Sequence, residues 1–66
     1  MEIVLHDNNG SAIVCRTVAA DAERIDFPAV ERDVVISSYT LDGVKHALDE
    51  PMTVLAGQFP RLRLWR

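Results

Sequence analysis

The chain has 66 residues, of which 48% are hydrophobic, so we expect one compact domain over residues 1–66 and no second one. The single cysteine excludes an intrachain disulfide, and two histidines without a C-x-x-C spacing argue against a structural zinc site. The net charge is −3, because residues 1–60 carry four bases and ten acids while residues 61–66 carry three arginines and no acid. The excess of acids in residues 1–60 repels phosphate backbones, which disfavours general nucleic-acid binding.

The compartment is predicted from three features of the sequence. The first residues are acidic rather than basic, which is not typical of a signal peptide. No apolar run approaches the ~20 residues that a membrane-spanning helix needs, so we expect no membrane partner. A lone cysteine is typical of a reducing compartment, and together these features predict a cytoplasmic protein.

The first predicted element is a β-hairpin. Residues 2–6 and 11–18 are rich in Ile and Val, and they flank Asp7-Asn8-Asn9-Gly10. A type I turn prefers Asp or Asn at its first position and Gly at its last, which favours a three-residue loop with Gly10 in the left-handed region.

This loop predicts the register of the hairpin. It sets Leu5 opposite Ile13, Ile3 opposite Cys15, Val4 opposite Val14 and Glu2 opposite Arg16. Cys15 is then expected to be a small buried hydrophobe. A two-residue loop is the alternative, and it sets Ile3 opposite Arg16 and Glu2 opposite Thr17.

The middle of the chain, residues 19–32, is predicted to be a crossover with a short helical turn within Ala19–Ile25. Pro28 ends any helix there, because the residue before a proline is pushed out of the helical region. We expect Ile25 and Phe27 to fill the core. Five acids lie between residues 21 and 33: Asp21, Glu23, Asp26, Glu31 and Asp33.

Residues 33–41 are predicted to form a strand, and the segment after it permits two structures. A hairpin turning on Asp42-Gly43 places Tyr39 opposite His46 and Leu41 opposite Val44. The alternative is a short helix near residues 43–50 that ends at Pro51. The hairpin is favoured, because that helix has only about two turns and carries acids at its negative end.

Two more short strands are predicted over residues 51–57 and 61–66. The last one alternates, with Leu62 and Leu64 inward and the arginines outward. The fold class is therefore mainly β: a small antiparallel barrel or rolled sheet of five to six short strands. An α+β fold with one short helix near residues 43–50 is the alternative.

The sequence lacks the patterns that indicate an enzyme. No nucleophile elbow or oxyanion loop surrounds Ser37 and Ser38, and no phosphate-binding or dinucleotide-binding glycine motif is present. His6, Asp7 and His46 make a weak metal set. We therefore predict no catalytic residues, no metal and no cofactor.

The candidate partner-binding residues form a basic group and an acidic group. The basic group is Arg61, Arg63, Trp65 and Arg66, and the acidic group is Asp21, Glu23, Asp26, Glu31 and Asp33. Trp and Arg are enriched at interface hot spots, so these residues predict a protein partner or self-association.

The predicted function is therefore a non-catalytic protein–protein interaction module, acting as an assembly subunit or a stoichiometric inhibitor. Small acidic β domains without a catalytic set are common among phage and mobile-element proteins, an analogy of fold rather than of site. The alternative is a small nucleic-acid-binding barrel that uses the C-terminal Arg and Trp residues.

Overall fold

The computed structural model of the chain describes residues 1–64, so Trp65 and Arg66 lie outside the described residues. Within residues 1–64 the fold is mainly β and contains no helix. The strands are β1 (Glu2–Asp7), β2 (Ala12–Thr17), β3 (Arg24–Asp26), β4 (Val34–Leu41), β5 (Val44–Val54) and β6 (Arg61–Arg63).

The strands form two antiparallel sheets. The larger sheet has the order β2-β1-β4-β5, and β3 pairs with β6 in a separate two-stranded ribbon. The pairings among residues 1–64 do not close these sheets into a barrel, so the predicted barrel or rolled sheet is not confirmed. The α+β alternative is wrong, because residues 44–54 form a strand.

The turn of the first hairpin is the one that the sequence predicts. The Gly10 N–H donates to the Asp7 carbonyl at 3.1 Å, and Gly10 has a φ of +80°. The Asp7 carboxylate accepts the N–H groups of Asn9 and Ser11, both at 2.9 Å. Asp and Gly therefore occupy the first and last positions of the turn for the expected reasons.

The register of this hairpin differs from the predicted one. His6 lies opposite Ala12 as the three-residue loop requires, but a β-bulge between Leu5 and His6 shifts the rest of the ladder by one residue. Ile3 therefore lies opposite Arg16 and Glu2 opposite Thr17, which are the pairs of the alternative register, and Cys15 moves to the outer side of the sheet opposite Val4. The prediction that Cys15 is buried is wrong, since its side chain is exposed.

The second hairpin is confirmed. Asp42 and Gly43 have φ angles of +48° and +85°, as a two-residue type I′ turn requires. Leu41 lies opposite Val44, and Tyr39 lies opposite His46 with the two rings stacked at 5.1 Å between centroids.

The two segments predicted around Pro51 belong to one strand. Ser38 pairs with Ala47 and Ile36 pairs with Met52, so residues 48–51 lie opposite Ser37 alone. Pro51 has no N–H to donate, and such a bulge is where a strand accommodates proline.

The core lies between the two sheets. Ile3, Leu5 and Ile36 project from the four-stranded sheet, and each is at most 1% exposed. The ribbon side contributes the buried side chains of Ile25, Phe27, Leu62 and Leu64. The prediction that Ile25 and Phe27 fill the core is therefore confirmed. The helical turn within Ala19–Ile25 is wrong, because Arg24–Asp26 is a strand and only a single Ala22 N–H to Ala19 carbonyl bond closes a turn before it.

The loop between β5 and β6 is held by hydrogen bonds to the crossover. The Gly57 N–H donates to the Val30 carbonyl at 2.8 Å, and the Val30 N–H donates to the Gln58 carbonyl at 3.0 Å. The Asp33 carboxylate accepts the Ala56 N–H at 2.8 Å. These bonds join residues 30–33 to residues 56–58 and so fix the approach to β6.

Candidate protein-interaction site

The β3–β6 ribbon places most of its charged side chains on one outward surface. Arg24 pairs with Arg63, and Asp26 pairs with Arg61. Between these pairs, Ile25 and Leu62 are buried in the core. Because successive side chains on a strand point to opposite faces, all four charged residues point away from the core.

The same surface continues beyond the ribbon into an aromatic residue. The Phe27 N–H donates to the Pro60 carbonyl at 2.9 Å, and both side chains are buried. The next residues of the two segments, Pro28 and Phe59, are therefore on the outward side. Phe59 is 64% exposed, the largest exposure of any large hydrophobic residue among those described. We define the ribbon face as Arg24, Asp26, Pro28, Phe59, Arg61 and Arg63.

The ribbon face has a net positive charge. Asp26 Oδ1 lies 3.4 Å from Arg61 Nε and 4.0 Å from Arg24 Nε, and all three side chains are more than half exposed. Exposed ion pairs contribute about 0–1 kcal/mol, so Asp26 orients the two arginines more than it stabilises the fold. Three arginines and one aspartate leave a net charge of +2 on this face.

A fourth arginine lies beside the ribbon. The Arg16 guanidinium group donates to the Asp26 carbonyl, which joins the four-stranded sheet to the ribbon. Arg16 reaches this carbonyl because the bulge in the first hairpin places it on the core side of the sheet, opposite Ile3.

The five predicted acids do not form one patch. Asp26 is ion-paired within the ribbon face, and the Asp33 carboxylate anchors the Ala56 N–H. Glu23 lines a depression together with Arg24, Arg61 and Arg63, and its carbonyl accepts the Leu64 N–H at 2.7 Å. Asp21 is exposed in the turn before it, and Glu31 lines a separate groove.

This groove of about 720 Å³ lies between the β1–β2 turn and residues 28–35. Its apolar lining includes the buried or half-buried Ile13, Val14, Val30 and Val34. Its charged lining residues are Asp7, Glu31, Arg32 and Asp33, for a net charge of −2. We call this surface the acidic groove.

Three residues of the ribbon face, Arg24, Pro28 and Phe59, were not predicted as site residues from the sequence. Phe59 has the same alternation phase as Arg61 and Arg63, so the pattern that marks the arginines as outward also marks Phe59 once it is extended back through Pro60. Arg24 had no such signal, because its position depends on the pairing of β3 with β6. Of the predicted basic group, Arg61 and Arg63 lie on the ribbon face, while Trp65 and Arg66 lie outside the described residues.

The two histidines make separate structural contacts. The half-buried His6 ring lies 3.3 Å from the Gly10 carbonyl and 3.4 Å from Thr40 Oγ1, while His46 stacks on Tyr39. His6 pairs with Ser38 and His46 pairs with Tyr39, so the two rings lie on opposite faces of the sheet. Among residues 1–64 no group of three or more His, Cys, Asp or Glu side chains is arranged to hold a metal ion.

The described part of the chain contains no helix long and apolar enough to cross a membrane. Comparison of the chain with protein-family models, with curated proteins and with solved structures finds no match.

Proposed function

We propose that this protein is a non-catalytic protein–protein interaction module and that the ribbon face is its contact surface. The observation that carries the proposal is Phe59, a 64% exposed aromatic side chain beside the outward arginines of β6. Aromatic residues and arginine dominate the binding energy of protein interfaces, where a few anchors account for most of the affinity.

The backbone around Phe59 supports this role. Hydrogen bonds hold residues on both sides of it: the Gln58 N–H donates to the Leu55 carbonyl at 2.9 Å, and the Pro60 carbonyl accepts the Phe27 N–H. A contact residue whose backbone is already ordered loses less conformational freedom on binding, which favours affinity. Phe59 is thus presented as a preorganised anchor.

Within this proposal the chain acts as an assembly subunit or as a stoichiometric inhibitor, since its contribution is a surface and not a reaction. The analogy with small acidic β domains of phage and mobile elements favours virion assembly or inhibition of host machinery, in the cytoplasm.

The test replaces Phe59 and compares a matched exposed residue. Phe59→Ala is expected to weaken capture of protein partners from the native host at least tenfold, since anchor truncation costs about 2 kcal/mol or more. Val44→Ala removes a residue that is 60% exposed in the turn of the second hairpin, and it is expected to leave capture unchanged. Quantitative mass spectrometry of captured proteins gives the readout. Full retention of every partner by Phe59→Ala would falsify the proposal.

Nucleic-acid binding is the second candidate, and the position of Arg24 favours it. The ribbon aligns three arginines beside an exposed aromatic ring, which is the combination that binds single strands. About three phosphate contacts predict a salt slope near −2 for single-stranded DNA, so affinity falls roughly 15-fold or more between 50 and 200 mM salt. Fluorescence anisotropy with a labelled oligonucleotide measures this slope. Capture of protein partners through Phe59 is expected to persist across the same salt range.

A further inference from the structure

We propose that the protein forms a two-fold symmetric dimer in which the ribbon face of each copy lies against the acidic groove of the other. This inference rests on the proposed function, because it names a second copy as a partner of the ribbon face. It also assigns a role to the acidic groove.

The charges of the two surfaces are complementary. The ribbon face carries three arginines and one aspartate, a net +2, and the acidic groove carries three acids and one arginine, a net −2. Ribbon-to-ribbon and groove-to-groove contacts both bring like charges together, which is unfavourable at an interface. The charges therefore select the ribbon-to-groove arrangement.

The carboxylates of the groove are held in place for such a contact. Asp7 Oδ1 accepts two backbone N–H groups of its turn, and Asp33 Oδ1 accepts the Ala56 N–H. These bonds fix the orientation of each carboxylate before any partner binds. Arginine–carboxylate pairs gain most when their geometry is fixed in advance.

The groove also suits an apolar anchor. Its lining combines Ile13, Val14, Val30 and Val34 with the acidic residues, and its volume of about 720 Å³ is in the range of pockets that accept sizeable groups. The ribbon face supplies a matching group in Phe59, an exposed ring with Arg61 two residues beyond it. An aromatic side chain beside a cation is complementary to a groove lined by apolar and acidic residues.

The adjacency of the two surfaces predicts closed symmetry. Pro28 lines the acidic groove and also belongs to the ribbon face, so the two surfaces adjoin in one copy. When complementary patches are neighbours, a two-fold axis near their boundary places each on its complement twice. The expected product is therefore a dimer and not an open chain.

The experiment measures mass in solution by sedimentation velocity with three forms of the protein. Wild type at 50 mM salt is expected to have twice the chain mass. The ribbon variant Arg24→Glu with Arg63→Glu reverses a directly opposed like-charge pair, and the groove variant Glu31→Lys with Asp33→Asn keeps an acceptor for the Ala56 N–H. Each variant alone is expected to be a monomer, with at least a tenfold weaker self-association.

Mixing the two variants in equal amounts tests the complementarity directly. In the mixture, the acidic ribbon of one variant meets the basic groove of the other, and the unaltered basic ribbon meets an unaltered acidic groove. The mixture is therefore expected to recover the dimer. A mixture that stays monomeric while both variants retain the circular dichroism of the wild type overturns the proposal.

The wild type alone keeps the proposal falsifiable should either variant fail to fold. Its dimer is expected to dissociate at least tenfold more readily at 500 mM than at 50 mM salt, since opposite charges hold it. A dimer whose dissociation does not change with salt overturns the proposed interface.

A wild-type monomer that still captures other proteins through Phe59 overturns the dimer alone and leaves the proposed function intact. If Phe59→Ala leaves both the dimer and the set of captured proteins unchanged, the ribbon face is neither the dimer interface nor the partner-binding surface.

Discussion

The ribbon face and the acidic groove are built in different ways. The ribbon face has four of its six residues on strands, and the alternation of β3 and β6 directs Arg24, Asp26 and Arg61 outward. The acidic groove adds a turn and the irregular residues 28–33 to residues of β1, β2 and β4. The position of this irregular segment depends on distant contacts, such as the bond between the Asp33 carboxylate and the Ala56 N–H. The strand residues of the ribbon face should therefore withstand changes in single hydrogen bonds, while the irregular segment of the acidic groove should not.

The largest expected effect on the free energy of unfolding comes from replacing the buried Phe27, which lies next to the residue where the two surfaces meet. Phe27 is 2% exposed, and its backbone precedes Pro28, where the two surfaces meet. Phe27→Ala is expected to lower the free energy of unfolding by about 3–5 kcal/mol, because it removes buried area and leaves a cavity. Urea denaturation followed by circular dichroism measures the loss. A loss below 1 kcal/mol would mean that the ribbon does not need this side chain for its attachment to the sheet.

An intermediate effect is expected where the groove depends on one carboxylate. Asp33→Ala removes the acceptor of the Ala56 N–H and is expected to cost about 1 kcal/mol. Amide hydrogen exchange should show faster exchange at Ala56, with the β3–β6 pairs unchanged. Asp33→Asn keeps an oxygen acceptor and serves as the control. Equal acceleration at Leu62 and Leu64, whose pairs with residues 23–25 are the hydrogen-bonded ones, would show that the two surfaces are not mechanically separate.

The smallest expected effect on stability is at the centre of the ribbon face. Asp26→Asn removes an exposed ion pair and is expected to change the free energy of unfolding by less than about 1 kcal/mol. The net charge of the ribbon face rises from +2 to +3, so binding to an acidic surface is expected to tighten at low salt. Sedimentation at 50 mM salt compares the dimer with that of the wild type. Weaker association would show that Asp26 itself contacts the partner surface.

Local turn chemistry was predictable from the sequence, and the register was not. Asp7-Asn8-Asn9-Gly10 and Asp42-Gly43 form the turns that their residue types favour. The bulge between Leu5 and His6 had no local signal, and it reverses the facing of Cys15 and Arg16. In the predicted register Arg16 lies on the outer side of the sheet, where it does not reach the Asp26 carbonyl of the ribbon.

Part of the candidate site was also predictable, because the direction of a strand side chain is a local property, whereas its long-range contacts are not. The outward direction of Arg61 and Arg63 follows from the buried Leu62 and Leu64, because alternation is a property of a single strand. The dispersal of the five acids depends on which backbone groups they meet, as with Asp33 and Ala56. Such pairings join residues more than 20 positions apart, and single-sequence patterns do not encode them.

The sequence by itself determined the mainly β character, both tight turns and the inward set of Ile25, Phe27, Leu62 and Leu64, since each depends on backbone preference or side-chain period over a few residues. Only the tertiary structure decided that β3 pairs with β6, that Arg24 therefore lies opposite Arg63, and that an acidic groove lies beside the ribbon. These features arise from pairings between segments far apart in the chain. Their free energy depends on how the two sheets pack, which no short stretch of residues specifies.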